Sequence, residues 1–148
     1  MLQKDYVLPS PPTNLDSKTL PVLTLAYIGD VVYELAVRQH LLARGIVKVQ
    51  ILHKNSIDLV RACTQANLAH RIEDKLNTDE LAILRRGRNA KGHHAPKGAS
   101  ITSYRLATGL EALVGYLYLE DKQARLAWLL EELWHLEEEA KANASKTD

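Results

Sequence analysis

Asp30 and Glu111 are the residues whose types and settings point most directly to chemistry. Asp30 stands in the middle of LTLAYIGDVVYELAV, residues 23–37, a stretch that is otherwise almost wholly apolar, with Glu34 one helical turn later. Neither acid has a Lys or Arg within a turn on its own face, the first downstream cation being Arg38. Glu111 sits in a second apolar run, LATGLEALVGYLYL. A carboxylate buried without a partner costs on the order of several kcal/mol, so it neutralises, finds a partner or binds a metal. Two isolated carboxylates on two apolar helices far apart in sequence fit a cation shared between packed helices. Mg²⁺ suits such a place, because it prefers oxygen ligands and is commonly held by one or two carboxylates plus substrate phosphate oxygens. A metal so held activates water for in-line hydrolysis of a phosphodiester. Asp30 and Glu111 would be its direct ligands, Mn²⁺ a substitute, and Thr108 and Glu34 outer or water-mediated groups. The same pattern also fits buried ion pairs, for instance to Arg105 or Arg38. The residues alone leave both readings open.

The elements that must position these acids are helical. No alternating strand pattern occurs, Phe is absent and runs of β-branched residues are short, so the fold class is all-α. A chain of 148 residues is most simply one domain, long enough to bury a core. Residues 1–16 hold three of the five prolines and read as an extended lead-in, residues 17–141 as the catalytic domain, and residues 142–148 as a frayed tail. The single cysteine, Cys63, excludes an internal disulfide and a thiolate zinc cluster. Its setting, VRACTQA, reads as a small buried core position. No signal peptide or transmembrane run is present, so a cytoplasmic protein with no membrane partner is expected.

Taken in order, Asp16 or Ser17 is expected to cap the first helix, with Pro21 in its first turn and Gly45 as its stop. Gly29, mid-helix with Ala26 a turn earlier, suggests close backbone approach by another element. Val49 to Leu76 carries one continuous helical periodicity, its polar face made of His53, Lys54, Asp58, Arg61, Gln65 and Arg71 and read as solvated. His53 and Lys54 are an additional candidate pair for a phosphate backbone. Thr78 is expected to open the next helix as a capping box. Arg85 to Gly98 reads as a glycine-rich loop and is the most basic part of the chain, since no acid falls between Glu80 and Glu111. Arg85, Arg86, Arg88, Lys91 and Lys97 are the candidate phosphate-binding residues, because Arg and Lys grip phosphates without reading sequence. His93 and His94, being adjacent, are placed poorly as a metal pair. Ser100 to Leu119 forms the helix of Glu111, with Thr108 and Gly115 small enough for close packing. Asp121 caps a last amphipathic helix through Ala140. No GxGxxG, P-loop, HExxH or GxSxG is present, which argues against the usual nucleotide-binding, zinc-protease and serine-hydrolase chemistries.

LAYIGDVVYE resembles the signature stretch of the ribonuclease III family, an apolar helix bearing Gly-Asp, and ATGLEALVGYLYLE resembles its second catalytic helix. With RRGRNAK, HKNS and YRLATGLEAL, the likeness is closest to the Mini-ribonuclease III group, the bacterial and plastid form consisting of the catalytic domain alone. It spans roughly residues 20–136. Two positions depart from full-length ribonuclease III: the glutamate expected one turn before Asp30 is Ala26, and the aspartate expected three residues before Glu111 is Thr108. Both departures resemble the Mini form and imply a sparser metal site. The chain ends too soon for a double-stranded-RNA-binding domain to follow. The resemblance implies a helical bundle forming a two-fold homodimer, with Tyr27, Val31 and Leu35 in the interface. It further implies cleavage of double-stranded RNA to 5′-phosphate and 3′-hydroxyl ends, in the stem flanking precursor 23S ribosomal RNA, and leaves a ribosomal-protein helper open. The alternative is a catalytically weak or inactive duplex-RNA-binding module of ribosome assembly on the same fold.

Overall fold

Six α-helices make up the computed structural model, which describes residues 10–12, 14–92, 94, 97–98 and 100–146. Most of the extended lead-in expected over residues 1–16, together with His93, falls outside the described residues. The helices are α1 (Val22–Ala43), α2 (Val49–Val60), α3 (Ala62–Ile72), α4 (Thr78–Asn89), α5 (Ile101–Leu119) and α6 (Gln123–Lys146). Single 3₁₀ turns at Ser17–Thr19 and Glu73–Lys75 complete the regular structure, and no strand occurs among the described residues. The all-α expectation therefore holds.

The apolar sequence of α5 leaves it no solvated stripe, and a helix that is hydrophobic all round has to be surrounded. Every residue from Leu106 to Leu117 is buried except Glu111, which is half-buried. Helices α1, α3, α4 and α6 pack around it. Two crossings bring backbones together. A Cβ on Gly29 would lie 1.7 Å from the Glu111 carbonyl oxygen, and one on Gly115 would lie 2.0 Å from that of Leu25. Gly29 thus marks the close approach that its place in an apolar helix suggests. The second crossing joins α4 to α5, where a Cβ on Gly87 would meet the Cα of Gly109 at 2.6 Å. Among the described residues no helix is long and apolar enough to cross a membrane.

Several boundaries differ from the periodicity. Ser17–Thr19 is a separate turn capped by Asp16, and α1 begins only at Val22, after Pro21. The stretch from Val49 is not continuous: Arg61 adopts ψ 155° and splits it into α2 and α3. Two side chains stabilise the break by taking backbone acceptors that a helix would use, Thr64 donating to the Asp58 carbonyl at 2.6 Å and Gln65 to the Val60 carbonyl at 2.8 Å. Tyr33 secures the same corner from α1, its buried hydroxyl donating to the Leu59 carbonyl at 2.7 Å. The turn rotates Cys63 outward, so the thiol expected in the core is exposed. Helix α4 extends to Asn89, which makes Arg85, Arg86 and Arg88 helical rather than part of a loop. Asp121 follows α5 in a left-handed conformation, φ 54°, and α6 starts at Gln123 and continues to Lys146, beyond the expected end.

The capping box of α4 is one residue earlier than Thr78. The Asn77 side chain accepts from the Glu80 N–H, and Glu80 accepts from that of Asn77. Glu80 is 1% exposed and also takes the Arg125 guanidinium at 2.6 Å and 2.8 Å, which ties α4 to α6. Burial pushes its carboxyl up, but the Arg125 and Asn77 hydrogen bonds outweigh this and hold it below its ordinary value. Arg125→Ala leaves that carboxylate buried and short of its charge partner. The expected loss of unfolding free energy is about 3 kcal/mol near neutral pH, measured by chemical denaturation. Because the folded-state value is depressed, the stabilisation is present above the ordinary carboxylate range and lost as pH falls through the folded one, so wild type and variant should converge in acid.

Candidate active site

The site begins at the α1–α5 crossing. Gly29 lets the α1 backbone touch the carbonyl of Glu111, and the residue after Gly29 is Asp30. The crossing therefore brings Asp30 and Glu111, far apart in sequence, near enough that the charge of Asp30 acts on the Glu111 carboxyl. Asp30 is exposed beside the crossing, while Glu111 is half-buried. Burial pushes the Glu111 carboxyl up to about 7, and the Asp30 charge adds to the rise. Asp30 is raised in turn by partial burial and by Glu34. Burial is the larger cause at both acids and a neighbouring like charge the second, and elevation of this kind is common at functional sites.

No cation among the described residues pairs with Asp30 or Glu111. Arg38 is engaged with Glu34 at 2.7 Å, one turn along α1, contrary to the expectation that Glu34 has no cation on its face. Arg105 is exposed. The ion-pair reading of these acids finds no support in the geometry. Thr108, one turn before Glu111, is buried, and its hydroxyl donates to the Tyr104 carbonyl of its own helix at 3.0 Å.

Gln65 stands at this site rather than on the solvated face that the periodicity implies for it. It is 2% exposed and donates through Nε2 to Glu111 Oε1 at 3.2 Å as well as to Val60. The small residues Ala66 and Ala69 beside it, both buried, are the available signal that this face of α3 meets another helix. Arg71, on the same expected face, pairs with Glu132 at 2.6 Å and Glu139 at 2.8 Å on α6. His53 and Lys54 are exposed on α2, as a phosphate-contacting pair would have to be.

The donor set suits a hard cation. It consists of carboxylate oxygens, and no group of three or more His, Cys, Asp and Glu gathers among the described residues. Mg²⁺ commonly binds through one or two carboxylates while keeping several waters, so two neighbouring acids with net negative charge fit it. Zinc, which favours nitrogen and sulfur ligands, fits poorly.

The basic residues divide into two sets. Arg86 reaches back to the carbonyls of Lys18 at 3.5 Å and Leu20 at 3.4 Å, holding the segment that enters α1. Arg85 is exposed on α4, Arg88 is half-buried with its Nε donating to Asn89 at 3.3 Å, and Lys91 and Lys97 are exposed beyond the helix.

Comparison with known proteins connects the whole arrangement to one family. The Ribonuclease III domain family matches residues 23–122. The Mini-ribonuclease 3 of Symbiobacterium thermophilum is 50% identical over 113 residues, covering 76% of this chain and 87% of its own. That of Desulfitobacterium hafniense is 53% identical over 111 residues, covering 75% of this chain and 70% of its own. A crystal structure of a Fusobacterium nucleatum protein superposes with a TM-score of 0.74 at 28% identity, over 82% of this chain and 98% of the other.

Proposed function

The chain belongs to the ribonuclease III family, in its Mini-ribonuclease 3 group, and from that premise we propose that it is a double-strand-specific endoribonuclease using Mg²⁺ held between Asp30 and Glu111. Mn²⁺ is the expected substitute. The observation that carries this reading is the pair of uncompensated carboxylates at the Gly29–Gly115 crossing. When bound, the ion supplies an activated water and neutralises charge on the phosphate. The chain's own part is to hold the two acids near one another, with Glu111 half-buried at the α1–α5 crossing and Asp30 open to solvent where a phosphate can approach. The substrate class is paired RNA, recognised by shape, phosphates and 2′-hydroxyls rather than base edges, and the stem of the 23S ribosomal RNA precursor is the proposed natural target. Products carry 5′-phosphate and 3′-hydroxyl ends.

An end-labelled RNA duplex incubated with Mg²⁺ or with EDTA tests this directly. Metal-dependent staggered cuts on both strands are expected. Binding without cutting in any divalent metal would favour the non-catalytic ribosome-assembly module instead.

The active form is proposed to be a two-fold dimer. On α1, Leu23, Tyr27 and Val31 recur every four residues on one face and are 43%, 75% and 64% exposed, while Tyr33 and Val37 are buried in the core. Leu35 is half-buried. An apolar stripe so exposed beside Asp30 is suited to self-complementary contact, and such a dimer places one site against each RNA strand. Tyr27→Asp combined with Val31→Asp should weaken dimerisation roughly 100-fold or more, read by sedimentation velocity, with cleavage lost in parallel.

Arg85, Arg88, Lys91 and Lys97 are proposed to grip phosphates. Replacing Arg85 and Lys91 with Ala should weaken duplex binding roughly tenfold whatever the sequence. It should also flatten the log–log salt dependence by about two units, one per lost contact.

A further inference from the structure

We propose that Gln65 is the positioning residue of the active site, holding the Glu111 carboxylate in the orientation that binds the divalent ion. The proposal rests on the reading of Asp30 and Glu111 as metal ligands and deepens it. Gln65 comes from neither catalytic helix. It projects from the first turn of α3 and is 2% exposed, so its rotamer is locked by the surrounding core. Its Nε2 has two protons and two acceptors: Glu111 Oε1 at 3.2 Å and the Val60 carbonyl at 2.8 Å. The second bond fixes the amide to the break between α2 and α3, a rigid corner also held by Tyr33 and Thr64. The first passes that rigidity to Glu111. A half-buried carboxylate facing a like charge tends to rotate away from it, and an anchored donor opposes that rotation.

The remaining atom of the amide argues for more than packing. Gln65 Oε1 is buried without any hydrogen-bond partner among the described residues. Buried acceptors left unpaired are rare and call for explanation. An amide serving only the helix break would be better placed with both ends satisfied. Here the donor end is committed to Glu111 and Val60, which leaves the acceptor end unpaired among the described residues. A donor so anchored fixes the orientation of the carboxylate that it holds. Partners of this kind typically change metal affinity 10–100-fold when removed.

The test compares wild type, Gln65→Met, Asp30→Asn and Glu111→Gln as full chains. Methionine keeps the length and flexibility of glutamine but can neither donate to Glu111 nor accept from water. Mg²⁺ binding is read by calorimetry without RNA, and cleavage by its Mg²⁺ half-saturation. For Gln65→Met we expect the wild-type circular dichroism spectrum, a Mg²⁺ dissociation constant raised at least tenfold, a parallel rise in half-saturation and an unchanged KM for duplex RNA. Unaltered Mg²⁺ affinity and half-saturation in a folded Gln65→Met would overturn the proposal. Should that variant not fold, wild-type protein decides the matter. The Gln65 side-chain amide resonances should shift on adding Mg²⁺, and should stay still in Asp30→Asn; no shift in wild type refutes the role. Wild type that binds no Mg²⁺, or binds it equally well in Asp30→Asn and Glu111→Gln, brings down the metal reading itself. That result is distinct from a Gln65 variant failing alone.

Discussion

Asp30→Asn is expected to abolish cleavage of duplex RNA, by roughly 10³-fold or more, while leaving the fold and RNA binding intact. The substitution is nearly isosteric, and Asp30 is exposed and without an ion pair among the described residues, so little packing depends on its charge. On the proposed reading, what disappears is one of the two anionic ligands. Turnover measured on an end-labelled duplex at saturating Mg²⁺ checks it, with a gel-shift assay as the control for binding. Retained activity would sink the assignment of the site. The partner acid adds a pH signature. Glu111 is pushed up to about 7, so near neutrality it must shed a proton before it can ligate. Cleavage should therefore fall about tenfold per pH unit below that range. Raising Mg²⁺ should move the midpoint downward, because metal and proton compete for the same oxygens. Stability runs the opposite way. An acid whose folded-state value is raised favours the fold at low pH, and that contribution is lost as pH rises from the ordinary carboxylate range through the folded-state value. In EDTA at about pH 8, Glu111→Gln should thus melt higher than wild type, by on the order of 5 °C, even though it cannot cleave.

Gly115→Val is the second large effect, and it strikes the scaffold. A Cβ at 115 would lie 2.0 Å from the Leu25 carbonyl oxygen and 3.1 Å from the Gly29 nitrogen, both backbone atoms of α1. No rotamer change relieves a clash with backbone, so the helices must separate. Separation opens the deeply buried contact between α5 and a helix that contributes Leu25, Tyr33, Val37 and Leu41 to the same core. A loss of about 4 kcal/mol or more is expected, a large share of the stability of a domain this size. Thermal unfolding followed by circular dichroism measures it. Gly45→Ala supplies the contrast. A Cβ added at Gly45 would meet nothing within 4 Å, but the residue adopts φ +86°, so the strain there is conformational alone, about 1 kcal/mol. Similar losses at the two glycines would show that the crossing is looser than its geometry requires.

Much of this was legible in the residues. Apolar runs without alternation dictated helices. The absence of any polar stripe in LATGLEALVGYLYL dictated that its helix be enclosed, and it is the central one. Gly29 within an apolar helix signalled a backbone contact, and Asp30 and Glu111, each alone in apolar surroundings, stood out as candidates for a joint task. The helices and the contact at Gly29 are legible because they depend on local composition, which periodicity reads directly. Other features depend on which face of one helix meets which face of another. Gln65, Arg71 and Cys63 belong to one apparently continuous pattern, whose polar positions read as solvated. The break at Arg61 reoriented that pattern, and it is held by hydrogen bonds from Thr64 and Gln65 and from the distant Tyr33. A rotation there buried Gln65 against Glu111, turned Arg71 toward Glu132 and exposed Cys63. Likewise the basic stretch after Leu84 contained a glycine that suggested a loop, yet Gly87 is helical because Gly109 presses against it. The sequence by itself determined the class of fold and singled out the two acids as candidates. Only the tertiary structure decided how those acids are held, because that depends on contacts between residues dozens of positions apart, which no one-dimensional periodicity encodes.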